Sequence, residues 1–510
     1  MSESGDNHES QQDVVTIARG GGIAFIGRFF SLALNYLLAM IMARGLGASD
    51  YGLFVIGLSL VNLLGSLSLL GLNRGAVRFI AIYRGIGDRS RELGVFKTSL
   101  RFVLASGIIV ALLLVALADP LGELLNIPSG LGAFFLGFGC WIPIWALTFQ
   151  LAAVAEALKR LEYRTAIVDI GWPVARVVLT AGVLILGGRL AGIVWANLAA
   201  SALALIFAAV SVQRLFLRDL EGVQATSDAR QLLAFSLPVM LFNLLALSQN
   251  QVDVYLLAAL DSSESTGLFN VAARTTILIV ALLEGLGIIF SPFVADLSSQ
   301  DQMADLKRLV STVTYWSFMI GLPVAIAIIL FHRPILLLFG EAFVAAVPAL
   351  IVLSIAQLIN AATGPVGVVL TMSGHPNLNL LDAILTLVLN VVLDVLLIPP
   401  LGILGAAIGS AVAISSVNVL RSFQVSLILR AWIYSRQFLK PLVAAGLAGG
   451  ITYLAITARG LGSEWLTFGV GLFVFSLIYV GGILILGLSE SDLLVLRTLR
   501  NKMSREVARY

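Results

Sequence analysis

Leu-Gly-Ala-Ser-Asp-Tyr-Gly-Leu-Phe, residues 46–54, and Leu-Asp-Ser-Ser-Glu-Ser-Thr-Gly-Leu-Phe, residues 260–269, each stand between two apolar runs and end on the same Gly-Leu-Phe. In the first stretch glycines end one helix, and Ser49 or Asp50 offers a side-chain oxygen to the exposed amides of the next. In the second, Asp261, Ser262 and Glu264 offer the same chemistry. Gly52 and Gly267 lie 215 residues apart, and two further pairs keep nearly that spacing: Asp169 with Asp382, and Gly192 with Gly405, each 213 apart. One match among glycines and leucines carries little. Three in register indicate an internal duplication of a six-helix unit, with both copies in the same orientation because six is even.

Composition sets the solvent. Of 510 residues, 59% are hydrophobic and 12% charged, where a soluble domain carries about 25% charged residues. A helix crosses about 30 Å of hydrocarbon with roughly 20 residues. The apolar runs supply fourteen such spans, beginning at 20–43 and 52–72, including 267–293 and 402–424, and ending at 466–488. The expected fold is an all-α polytopic membrane protein: two pseudo-symmetric six-helix bundles, 20–212 and 232–424, joined by a polar linker at 213–231, with helices 13 and 14 in 425–488. Residues 1–19 read as a disordered cytoplasmic tail. Residues 489–510 open on a capping-box-like Ser489-x-x-Asp492 and read as an amphipathic helix on the inner membrane surface.

Lys and Arg resist translocation and collect on the cytoplasmic side. With the N-terminus inside, only Arg44, Arg189, Arg333 and Arg459 fall outward; Arg28, Arg176 and Arg274 lie within spans, and the rest of the 32 basic residues face inward. Both termini are therefore expected to be cytoplasmic. The single cysteine, Cys140, excludes an intramolecular disulfide and reads as packing. No phosphate-cradling Gly-rich loop precedes a Lys, no His or Cys cluster has metal spacing, and no nucleophile has a nearby base. Neither an enzyme nor a metal site nor a nucleic-acid partner is expected.

The run LNVVLDVLLIPPLGILGAAIGSAVA at 389–413 places Asn390, Pro399, Gly402, Gly405, Ala406 and Ala407 as in the pattern found at spans 11 and 12 of polysaccharide flippases. ARGLGASDYGLF at 43–54 and FSLPVMLFNLLALSQNQVDVYLLAALDSSESTGLF at 235–269 match further. Over nearly its whole length the chain resembles the O-antigen and oligosaccharide flippase branch of the multidrug/oligosaccharidyl-lipid/polysaccharide exporter superfamily. That resemblance implies a V-shaped pair of bundles around a central cavity. It also implies movement of a lipid-linked oligosaccharide across the cell membrane by alternating access. Membrane lipids and glycan-assembly proteins are the implied partners of a monomer.

Ionisable groups inside a bilayer cost several kcal/mol unless they face water or a partner, which makes each a functional candidate. Arg28, Arg176 and Arg274 are the cationic ones, and a planar guanidinium suits a diphosphate because it binds two oxygens and stays charged. Arg28, near a span end, also fits headgroup snorkelling or an ion pair. Asn35, Asn270 and Asn390 could line a sugar path or join helices. Asp253, Glu284 and Asp394 have two readings as well: binding Na⁺ or H⁺ in a coupled cycle, or neutralising an arginine. The rival function is a cation-coupled multidrug antiporter of the same superfamily. Such a protein normally has twelve spans and an acidic cavity. A polytopic glycosyltransferase is disfavoured by the short outward loops.

Overall fold

The computed structural model describes residues 3–128, 132–226, 228–430, 432–459 and 463–487, and the tail 489–510 lies outside them. Among the described residues every regular element is helical. In chain order the α-helices are α1 (Glu3–Ser68), α2 (Leu72–Gly85), α3 (Arg89–Ala116), α4 (Ala118–Leu124), α5 (Gly132–Ala157), α6 (Leu161–Arg164), α7 (Trp172–Ile185), α8 (Leu190–Val212) and α9 (Ala229–Leu260). They continue as α10 (Ser263–Ser299), α11 (Met303–Leu330), α12 (His332–Leu337), α13 (Val347–Thr363), α14 (Val366–Met372), α15 (Pro376–Leu401), α16 (Ile403–Ile428), α17 (Leu439–Arg459) and α18 (Glu464–Ile485).

Hydrocarbon offers backbone groups no partner, so a chain this apolar satisfies them within helices. Among the described residues, twelve helical stretches are long and apolar enough to cross a membrane. Apolar side chains face outward along them. On α15, Leu381, Leu385, Val388, Val392 and Leu396 form one exposed stripe at helical spacing, an arrangement suited to lipid contact and costly in water. Helix starts are capped as short polar side chains allow: Asp88 accepts from Arg91 N, Asp228 from Gln231 N, Ser262 from Ser265 N and Ser463 from Leu466 N, all at 3.0–3.1 Å.

The expected spans 20–43 and 52–72 stand on either side of Gly47, where two helices run together as α1 and meet at a kink whose φ of 79° and ψ of 176° are readily available only to glycine. Three other expectations change in detail. Residues 3–19, expected to be disordered, are continuous with α1. A formed helix extends without a new nucleation cost, which lets α1 continue through this polar stretch. Cys140, expected in packing, is exposed on α5. The expected span 267–293 lies inside the 37-residue α10.

The fold separates into two compact units. The first takes in the chain to Val271 with Phe339–Ala345 and Val391–Ala406. Its core is the face of α5 turned to α1. Gly57 and Gly65, about two turns apart, leave room for Phe138 and Trp145, also two turns apart; a Cβ on Gly65 would stand 2.6 Å from the Trp145 ring. The second unit comprises Ala272–Leu338, Ala346–Asn390 and the chain from Ala407. Phe318 and Leu322 of α11, Ala444 and Ala448 of α17, and Phe475 of α18 form one of its cores. Val310, Val369, Val425 and Leu429 belong to another.

Candidate functional site

In the first unit α1 carries Arg28 and Asn35 two turns apart, and the segment 165–176 carries Asp169 and Arg176 at the same spacing. Arg176 is 5% exposed. Its Nε donates to Asn197 Oδ1 at 2.7 Å, and its Nη1 donates to Asn35 Oδ1 at 3.4 Å. The guanidinium carbon lies 5.3 Å from the Trp172 ring centroid and 5.7 Å from that of Trp141. A cation over a desolvated aromatic face gains about 2 kcal/mol, and hydrogen bonds to a charged group contribute about 1.5–3 kcal/mol each.

The shell around Arg176 is itself oriented. Ser201 Oγ accepts both indole N–H groups, at 2.6 Å from Trp141 and 2.9 Å from Trp172, and donates to the Asn197 carbonyl at 3.0 Å. The Asn197 amide nitrogen donates to Thr180 Oγ1 at 3.1 Å and to the Ile193 carbonyl at 2.8 Å, which turns its oxygen toward Arg176. Asn35 donates to the Ser31 carbonyl at 2.8 Å, with the same result. Sequence reading singled out Arg176 and Asn35 but not Trp141, Trp172, Asn197 or Ser201.

Arg28 is exposed, and its charge acts on buried Asp169 together with that of Arg164. Arg164 Nη1 lies 3.5 Å from Asp169 Oδ2, and its Nε lies 3.2 Å from Glu156, which also pairs with Arg74 at 3.1 Å. Asp169 sits in a π-helical turn, Thr165–Gly171, the kind of distortion found frequently at functional sites. Gly27, one residue before Arg28, packs directly against Thr165 of that turn.

The other candidates are distributed. Asn270 accepts the Tyr51 hydroxyl at 2.9 Å in the first unit, where Asp253 and Asp394 are buried. Arg274 is half-buried and Asn390 buried in the second unit. The Glu284 side chain lies outside the described residues. The second unit also holds an ion pair that counting charges on the cytoplasmic side overlooked: Arg421 Nε lies 3.5 Å from Asp382 Oδ2, and Gln424 donates to Asp382 Oδ1 at 3.1 Å. Arg421 falls within the expected span 402–424, so the signal was present in the sequence.

The two Gly-Leu-Phe motifs meet. Gly52 of α1 packs on the Ser263 carbonyl, and Gly267 of α10 packs on the Ala48 carbonyl. Positions 48 and 263, like 52 and 267, are 215 apart, so each half of the contact is the duplicate of the other. Ser49 and Ser263 hydroxyls lie 3.3 Å apart beside this crossing, and Ser59 donates to Gln251 at 2.6 Å further along. Small residues at such a crossing let backbones approach closely enough for Cα–H···O contacts.

Apolar helices with lipid-suited surfaces, carrying guanidinium and carboxylate groups at depth, define a polytopic membrane transporter. The chain belongs to the polysaccharide biosynthesis protein family, whose model matches residues 17–298, within the superfamily whose MatE model matches residues 238–396. It is 22% identical over 471 residues to the probable low-salt glycan biosynthesis flippase Agl15 of Haloferax volcanii, covering 91% of this chain and 94% of that protein. Among solved structures it is similar to the lipid II flippase MurJ in an inward closed conformation, with a TM-score of 0.71, 13% identity, and coverage of 90% and 97%. It is also similar to an inward-facing multidrug resistance MATE family transporter, with a TM-score of 0.66, 16% identity, and coverage of 78% and 94%.

Proposed function

We propose that this protein flips a polyprenyl-(di)phosphate-linked oligosaccharide across the cytoplasmic membrane by alternating access, supplying cell-surface polysaccharide or glycan assembly. The observation that carries this reading is a pair of guanidinium groups on two helices, Arg28 exposed on α1 and Arg176 buried on α7, the latter bonded to Asn35 two turns from Arg28 and held in place by amides and indoles. Fixed positive charge favours a phosphate headgroup and repels a lipophilic cation. The full-length likeness to a protein named as a glycan biosynthesis flippase supports the same substrate class.

In this reading the chain crosses the membrane fourteen times as two six-helix bundles and two further helices, with both termini cytoplasmic. The Gly52–Gly267 crossing then closes the outward side, and the glycan leaves when it parts. Arg274 contributes a further guanidinium, and Asp253 couples the cycle to a Na⁺ or H⁺ gradient. The multidrug antiporter remains the rival, favoured by the MatE match and by the buried carboxylates Asp253 and Asp394. Transport by purified protein in proteoliposomes separates the two. A fluorescent lipid-diphosphate oligosaccharide should become accessible from the opposite leaflet in a protein-dependent way while ethidium does not accumulate; the reverse pattern would overturn the flippase.

A further inference from the structure

Within the second unit a cavity of about 380 Å³ opens between the first turns of α11 and the 3-10 turn Arg436–Phe438 that leads into α17. Lys307, Arg308, Thr312 and Tyr315 line it from α11, and Ser435 and Gln437 from the other side. Two cations thus share one hollow with four groups that can donate a hydrogen bond, and among the described residues its lining includes no carboxylate. Among the described residues neither Lys307 nor Arg308 forms an ion pair. The walls are held together independently of any occupant. Ser311 donates to the Ile433 carbonyl across the junction at 2.7 Å, and Phe438 packs edge-on to Tyr315 with ring centroids 5.7 Å apart.

The surroundings distinguish among anions. Trp432, just before Ser435, is exposed, as tryptophan commonly is at the membrane–water boundary. Along α17, Leu439, Leu442, Val443 and Leu447 are exposed in one strip. A free phosphate has no use for an apolar strip beside its site, whereas a phospholipid places its phosphate in the hollow and its chains along the helix. Basic pockets between spanning helices on the cytoplasmic side are suited to anionic headgroups.

We propose that this cavity binds the phosphodiester headgroup of an anionic phospholipid of the inner leaflet, with Arg308 and Lys307 on the phosphate oxygens, Thr312, Ser435 and Gln437 completing the shell, and the chains against α17. Only the leaflet rests on the orientation proposed above; the binding itself is independent of what the protein transports.

The test uses the full chain in phosphatidylcholine nanodiscs doped with phosphatidylglycerol, reading retained lipid by native mass spectrometry and thermal midpoint by intrinsic fluorescence. Wild type should retain phosphatidylglycerol selectively and melt higher with it. Lys307→Gln/Arg308→Gln should bind it about thirtyfold more weakly, as expected for two basic groups at a membrane surface. Both side chains are exposed, so the variant should fold, and an unchanged midpoint in pure phosphatidylcholine checks this. Arg308→Lys keeps the charge and loses the planar fork, and should fall between the two. Arg214→Gln/Arg218→Gln, which removes two charges from the linker, should bind like wild type. Equal phosphatidylglycerol binding by wild type and the Lys307/Arg308 variant would overturn the site. An equal shift produced by inorganic phosphate alone, lost in the same variant, would overturn the lipid assignment in favour of a soluble anion.

Discussion

Alanine at position 267 should loosen the α1–α10 crossing by an amount that the geometry bounds. A Cβ there meets the Ala48 carbonyl oxygen and stands 3.0 Å from Gly52 N and 3.2 Å from Gly52 Cα, where relaxed carbon contacts are about 3.5–4.0 Å. All three neighbours are backbone atoms, so no rotamer change relieves the overlap, and the helices must separate by roughly half an ångström or more. Overpacking of this kind costs about 1–3 kcal/mol, which lowers the ratio of closed to parted crossing roughly 5- to 150-fold at about 1.4 kcal/mol per factor of ten. The population can be read by disulfide trapping. In a Cys140→Ser background, Ser49→Cys/Ser263→Cys places thiols where hydroxyls now lie 3.3 Å apart. Oxidation should link this pair readily in the otherwise native chain and more slowly, by up to that factor, once Gly267→Ala is added. Gly52→Ala should act in the same direction, because the contact is duplicated. Equal crosslinking rates with and without the alanine would refute the idea that these glycines set the closed state.

Three further outcomes follow from the described contacts. Arg176→Lys loses the 2.7 Å Nε bond to Asn197 and the planar face over Trp172, and should lower stability by about 1.5–3 kcal/mol, seen as a reduced thermal midpoint in detergent. Asp382→Ala leaves Arg421 without its carboxylate and should cost about 3–5 kcal/mol, whereas the joint replacement Asp382→Leu/Arg421→Leu should recover most of that loss; the same melting measurement checks both. Collapsing the Na⁺ and H⁺ gradients should slow glycan flipping in proteoliposomes, and Asp253→Asn should flip at one rate with or without the gradients.

Much of the helical layout is readable from residue order alone, because in hydrocarbon the length of an apolar run and the position of its charges are direct physical constraints. The 215-residue echo of Gly-Leu-Phe is visible as text. What text cannot supply is that the two copies touch, since a repeat specifies similar folding of each copy and not their meeting point. The Arg176 shell was partly legible: Trp172 precedes Arg176 by four residues on α7, and Asn197 precedes Ser201 by four on α8, so each pair shares a helix face. That those two faces, Trp141 of α5 and Asn35 of α1 converge on one guanidinium is a tertiary fact without a local signature. Arg421 shows the opposite failure. Its position three residues inside an expected span marked it as intramembrane, but a tally by side of the membrane absorbed it, and the buried Asp382 that it pairs with was noted only as a repeat mark. Gly47 reads as a helix end and is one: its positive φ breaks the helical path between the two helices that meet there.

The proposed function rests on guanidinium groups that hold the phosphate of the carrier lipid while its glycan crosses. Its most direct measurement is the initial flipping rate of a lipid-diphosphate oligosaccharide by Arg28→Ala/Arg274→Ala protein reconstituted at wild-type density. Losing two charge-assisted hydrogen bonds, each at the low end of about 1.5 kcal/mol, predicts a rate at least about a hundredfold below wild type. A double variant that flips at the wild-type rate would rule out a guanidinium hold on the phosphate.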